Sequence, residues 1–145
     1  MYKNILIPTD GSELAWKAVQ HGMAFAKEIG AKITVLTVTL PFHVFTLDPQ
    51  VVEDTADQYK KRVQVDTSRL FEFVTRTANS AGVACETVQV EHEHPYKAII
   101  DTASSKGCDL IVMASHGRRG VTAIVLGSET VKVLTHSKIP VLVHR

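Results

Sequence analysis

The sequence predicts a doubly wound α/β fold, a five-stranded parallel sheet with helices on both faces. Three observations carry that prediction. Strand-like and helix-like stretches alternate along the chain as β-α-β-α-β-α-β-α-β. The runs Ile5-Leu6-Ile7 and Leu110-Ile111-Val112-Met113 are apolar without a break, as expected for strands buried on both faces of a parallel sheet. Glycines stand where helices should stop, at Gly30, Gly82 and Gly107. Right-handed crossovers restrict the topology, and the expected strand order is 3-2-1-4-5.

Each element has its own local reason. Asn4 to Pro8 is the first strand. Thr9-Asp10-Gly11-Ser12 supplies a turn, and Ser12 or Asp10 is positioned to cap a helix. Ala15, Ala18, Val19, Gly22, Ala26 and Ile29 recur at helical spacing, and their small side chains let the helix sit close to a sheet. Lys32 to Thr39 is β-branched and reads as the second strand. Leu40 to Leu47 reads as a loop, and Asp48-Pro49 as a helix start with Pro in the first turn. From Val51 through Ala78 a long helix is expected, with room for one break, ending at Gly82. Ala84 to Val90 alternates as a third strand. Pro95 opens a short helix whose apolar face is Ala98, Ile99 and Ala103. Asp109 to Ala114 is the fourth strand. After a loop from Ser115 to Gly127, a last helix carries Val131, Leu134 and Thr135 on one side. Val141-Leu142-Val143 is the final strand.

Length and composition narrow the function. The 145 residues correspond to one domain, 1–145, with no linker and no short-period repeat. Apolar residues are 45% and charged residues 21%, the balance of a folded globular chain rather than a disordered one. Sixteen basic against fifteen acidic residues leave a net charge of +1. A protein that tracks nucleic acid shows a basic excess or stripe, so no nucleic-acid partner is expected. No stretch approaches the ~20 apolar residues of a membrane-spanning helix, and no signal peptide opens the chain, so the expected location is cytoplasmic. Cys85 and Cys108 form no CxxC pair and read as reduced thiols packed as small apolar side chains.

In open α/β sheets ligands bind past the carboxyl ends of the strands, where the strand order reverses. Here that point lies between the first and fourth strands. It brings Pro8-Thr9-Asp10-Gly11-Ser12 opposite Ala114-Ser115-His116-Gly117. Nine residues, Arg118 to Leu126, separate Gly117 from Gly127-Ser128 at a helix start. The two glycines let backbone N–H groups approach an anion, and the helix start aims its free N–H groups at it. Ser128 adds a hydroxyl, and Arg118 and Arg119 add charge. This is the chemistry of a phosphate cradle, although neither a P-loop nor a GxGxxG fingerprint is present.

These residues resemble the universal stress protein family. Ile5-Leu6-Ile7-Pro8-Thr9-Asp10-Gly11-Ser12 is similar to the family's opening, and Asp109 to Gly117 to its fourth strand and loop. Gly127-Ser128 and Ile139-Pro140-Val141-Leu142-Val143 are similar to its end. The resemblance covers the whole chain and implies a Rossmann-like sheet of the adenine-nucleotide α-hydrolase type. It also implies a homodimer built through the last strand, Val141–Val143. Some members bind ATP through a G-x2-G-x9-G-[S/T] motif, which maps here onto Ala114, Gly117, Gly127 and Ser128, with Ala114 in place of the first glycine. By resemblance, Pro8 and Thr9 shape the floor, and Asp10 lies near the ribose or a nucleotide-bound Mg²⁺. Val38 meets the adenine, and Gly117, Gly127 and Ser128, with Arg118 nearby, hold phosphates. The ligand so implied is ATP or AMP, and the role is a stress-response or signalling module. An alternative is a dimeric protein-interaction module that binds no nucleotide, its partners unnamed by the sequence.

Simpler readings stand beside these. Asp10 is also a good helix cap, and Arg118 and Arg119 also fit a solvated surface pair. His92 and His94 lie on one side of an extended segment, but no third metal ligand is evident. His116 has no nucleophile or orienting partner in the sequence, so no catalytic residue is expected and at most slow ATP hydrolysis. Phe42, Phe45, Phe71 and Phe73 read as core or dimer contacts.

Overall fold

The computed structural model describes residues 1–42, 55–117 and 126–145. Five strands form a parallel sheet in the order β3-β2-β1-β4-β5. They are β1 (Asn4–Pro8), β2 (Lys32–Thr39), β3 (Cys85–Glu91), β4 (Leu110–Ala114) and β5 (Val141–His144). Four described helices, α1 (Glu13–Ile29), α2 (Ala56–Ala81), α3 (Pro95–Ser105) and α4 (Ser128–His136), cover the two faces.

The unbroken apolar runs are explained by the two-sided core. Ile5 and Ile7 point toward α1 and α2, where they meet Val19, Met23, Val35, Val74, Ala78 and Val112. Leu6 points the other way, into Leu36, Ile99, Ala103, Ile111, Met113 and Val133 under α3 and α4. A strand with a helix layer on each side has no polar face to alternate with. Helix α1 lies so close that a Cβ on Gly22 would overlap the Ile7 side chain.

Helix ends follow local signals. Ser12 caps α1, its Oγ accepting from Ala15 N at 3.3 Å, and Gly30 ends it with φ 71°. Gly82, at φ 74°, ends α2 in the same left-handed conformation. The start of α2 is set by a capping box: Thr55 Oγ1 accepts from Gln58 N, and Gln58 Oε1 accepts from Thr55 N. That signal, Thr55-x-x-Gln58, is legible in the sequence, yet the helix was expected from Val51. The extended backbone of Thr55 means that no single helix runs from Val51 to Ala78. The expected start at Asp48-Pro49 and the ring of Phe45 lie outside the described residues, and Phe42 is helical rather than loop.

Three further expectations differ from the structure. The fourth strand begins at Leu110, not Asp109. The Asp109 carboxylate instead accepts from the backbone N–H groups of Lys3 and Asn4 at 2.9–3.1 Å, clamping the start of β1 beside β4. The third strand is likewise one residue later than expected. On α4 the side carrying Val131, Leu134 and Thr135 is exposed, and the buried residues are Thr130 and Val133. Thr130 tolerates burial because its Oγ1 donates to Ala114 O at 3.0 Å. Phe73 is 52% exposed and stacks on Trp16 with ring centroids 4.7 Å apart, so it lies at the rim of the core.

Candidate functional site

The site grows from a parting of the two central strands. β1 pairs with β2 along its whole length, from Asn4↔Lys32 to Pro8↔Leu36. Its pairing with β4 stops at Leu6↔Ile111. The bonds from Thr9 N to Leu36 O and from Asp109 N to Asn4 O show which residues face which neighbour: odd-numbered toward β2, even-numbered toward β4. Pro8 is therefore the residue whose N–H would have continued the ladder to β4, and proline has none. A crevice opens beyond it, at the carboxyl end of the sheet.

The β1 side of the crevice is tied down by Thr9. Its N–H donates to Leu36 O at 2.8 Å, its carbonyl accepts from Thr37 Oγ1 at 3.0 Å, and its Oγ1 accepts from Gly11 N at 3.2 Å. Buried Thr9 thus fixes the turn that carries Asp10. Asp10 Oδ1 accepts from Ser12 N at 2.9 Å, while Ser12 itself is the N-cap of α1. The other carboxylate oxygen, Oδ2, lies against Gly117, where any Cβ would overlap it. The two loops meet at this point, 107 residues apart in the chain.

The β4 side is drawn together by backbone bonds. Ser115 N donates to His144 O at 2.8 Å, and Gly127 N donates to Ser115 O at 2.7 Å. A Cβ on Gly127 would come within 3.1 Å of the His116 Cα, so a side chain there would force the two backbones apart by a few tenths of an ångström. Gly127 is also the N-cap of α4 and supplies no side-chain cap. Glu129, in the first turn of α4, turns its Oε2 to accept from Tyr96 N at 2.8 Å, at the start of α3. Neither residue's side chain caps the first N–H groups of α4, and these with the Ser128 hydroxyl provide an anion-directed helix start.

Ala114 is the last residue of β4, with extended backbone, and no described non-glycine residue has positive φ. Its side chain packs beside Ala15 and Ala18 of α1. This position therefore does not require glycine conformationally. Val38 is near the carboxyl end of β2, half-buried, paired in register with Val90 and packed against the second core cluster. Pro8, Thr9, Asp10, Ala114, Gly117, Gly127 and Ser128 are thus gathered around the crevice, with Val38 one strand away. Arg118 and Arg119 lie outside the described residues.

Other candidates are not assembled into sites. His94 N donates to His92 Nδ1 at 2.8 Å, and the two rings stand 6.0 Å apart. Among the described residues no three His, Cys, Asp or Glu side chains converge as metal ligands. His116 Nδ1 lies 3.1 Å from Ser115 Oγ, a hydroxyl partner that the sequence did not reveal. Cys85 and Cys108 form no disulfide, and burial, followed by the Glu86 carboxylate, pushes the Cys85 thiol up to about 11. Among the described residues no helix is long and apolar enough to cross a membrane.

The chain matches the model of the Universal stress protein family over residues 1–145. This chain belongs to the universal stress protein family. It is similar to the universal stress protein YxiE of Bacillus subtilis, 32% identical over 100% of both chains. It is also similar to the solved structure of MJ0577, a universal stress protein of Methanocaldococcus jannaschii. That match has a TM-score of 0.82 and 29% identity, and covers 99% of this chain and 95% of the other. The fold is shared with a universal stress protein solved in complex with cAMP, at 22% identity and TM-score 0.72, covering 99% of this chain and 97% of that one. It is shared as well with one from Archaeoglobus fulgidus solved in complex with dAMP, at 16% identity and TM-score 0.72, covering 99% and 98%. The five-stranded sheet of this universal stress protein, in the order 3-2-1-4-5, is the expected architecture.

Proposed function

We propose that this universal stress protein binds an adenine nucleotide, ATP or AMP, in the crevice between β1 and β4, and acts as a cytoplasmic stress-response or signalling module. The observation that carries the reading is the α4 start at the mouth of the crevice, whose N-cap makes no side-chain bond, with Gly117 and Gly127 packed closely on Asp10 and His116 beside it. The first backbone N–H groups of a helix without a side-chain cap are suited to phosphate oxygens. The complexes of structural relatives with cAMP and dAMP support adenine as the base.

In this reading Gly117, Gly127 and Ser128 hold phosphates, with Arg118 beside them. Asp10 faces the ribose or a phosphate-bound Mg²⁺, Pro8 and Thr9 form the floor, and Val38 borders the adenine. The extended backbone and α1 contacts of Ala114 fit nucleotide binding, because its side chain has a place among Ala15 and Ala18. The functional unit is the single domain 1–145, paired as a homodimer through the free edge of β5. Leu142 on that strand is 45% exposed, and edge strands carry unpaired backbone groups that a second copy can complete.

The test is a thermal melt of the protein, stripped of nucleotide, with and without Mg-ATP. At 100 times the Kd a ligand adds about 2.7 kcal/mol, roughly 5–10 °C in Tm for a domain of this size. A shift with ATP and none with GTP is expected. A flat trace at millimolar ATP would refute the reading and move the search to protein partners.

A further inference from the structure

The carboxyl end of β5 is fastened to α1 by two imidazoles. His144, the last residue of β5, and His21 of α1 meet edge to face with ring centroids 4.2 Å apart. The same His144 pairs with Ala114 in the sheet, and its carbonyl accepts from Ser115 N at 2.8 Å. One residue thus joins the edge strand, the first helix and the first residue after β4.

The surroundings of the pair are basic. Lys17 and His21 are the charged neighbours that α1 presents to His144, and Lys17 is itself 3.5 Å from Glu13. Ala114 on β4 brings no charge, and Arg145 follows in the chain. Burial first, then His21, then Lys17, hold the His144 imidazole below its ordinary value of 6.5. A depressed value in the folded state means that the fastened form prefers a neutral ring. The resulting stabilisation is complete above the ordinary histidine value and is lost as the pH falls through the lower, folded-state value.

We propose that the ring contact of His144 with His21 is a proton-operated latch, closed while the His144 ring is neutral and opened when it takes up a proton, so that acid loosens the end of β5 together with Ser115. The physical cause is the repulsion that a His144 cation meets from the positive charge His21, and then Lys17, set beside it. Even at the dielectric constant of water, two unit charges ~4 Å apart repel by enough to shift an equilibrium about fivefold. The latch does not depend on what the loop binds, so it stands or falls separately from the nucleotide reading.

The experiment is amide hydrogen exchange of the full chain without nucleotide, between pH 8 and pH 5, read as protection factors. The Ser115 amide is expected to lose protection at least about fivefold on acidification, while the amide of Ile7 in the central strand keeps its own. In His21→Asn, at an exposed position of α1, the acid-induced loss at Ser115 should vanish, and in His144→Gln likewise. Equal loss at Ser115 and Ile7 would show general acid destabilisation and overturn the latch. So would a wild type without the loss, or a His21→Asn protein that retains it.

Discussion

Replacing Gly117 by alanine separates two roles of one small space. Gly117 lies against the Asp10 carboxylate, and the new methyl would overlap Oδ2, with Cγ 3.5 Å away. The backbone of Gly117 is not in the left-handed region, so the substitution brings no conformational strain. The carboxylate must swing aside, and in doing so it gives up the bond from Ser12 N at the start of α1. That bond is exposed, so its loss costs about 0.5–1 kcal/mol, or roughly 1–4 °C in Tm. The effect on nucleotide is larger. In the proposed complex the displaced Asp10 carboxylate and the shifted Gly117 backbone give up one hydrogen bond to a charged oxygen, about 1.5–3 kcal/mol, which weakens the Kd by roughly tenfold to 100-fold. Isothermal titration with Mg-ATP, alongside a melt of the nucleotide-free protein, reads both quantities. In an Asp10→Ala background the methyl has nothing to overlap, so its stability cost should disappear. A Gly117→Ala protein that melts slightly lower and binds Mg-ATP with unchanged Kd would refute the argument. The glycine would then serve only to make room for Asp10.

Three other outcomes are expected. Ala114→Gly removes a buried methyl and adds backbone freedom in a strand, costing together about 1–2 kcal/mol. Its Kd for Mg-ATP should not change, whereas a tenfold gain in affinity by titration would show that the methyl obstructs the site. Leu142→Lys places a charge on the free edge of β5 and should turn a dimer into a monomer in sedimentation velocity. A dimeric variant would place the interface elsewhere. With its thiol pushed up to about 11, Cys85 is protonated at neutral pH, and thiolate appears only as the pH rises toward that value. Its alkylation at pH 8 should run roughly two orders of magnitude below that of a free thiol. It should still be climbing at pH 10, and a plateau near pH 9 would contradict the buried setting.

Much of this molecule is legible from short stretches of chain. The Ser12 cap, the stops at Gly30 and Gly82 and the Pro95 start are local events, decided by a few neighbouring residues. The crevice was legible too, because a strand order of 3-2-1-4-5 leaves one place where the loops after β1 and β4 face each other. The sequence is less decisive where a local pattern admits two solutions. Thr55 and Asp48 both offer a helix start, and the capping box at Thr55 is the one that forms among the described residues. On α4, Val131 and Leu134 look like the better core face. Thr130 and Val133 take it instead, because the Thr130 hydroxyl finds the Ala114 carbonyl.

By itself, then, the sequence determined the kinds of element, most of their ends and the place where the loops after β1 and β4 face each other. Hydrophobic period and capping act within a turn or two, and the sequence displays them directly. Tertiary structure alone decided that Asp10 lies on Gly117, that Asp109 clamps β1, and that His144 joins β5 to α1. Each of those contacts spans about a hundred residues. A periodic pattern says that a face exists, and only the packed sheet says what covers it.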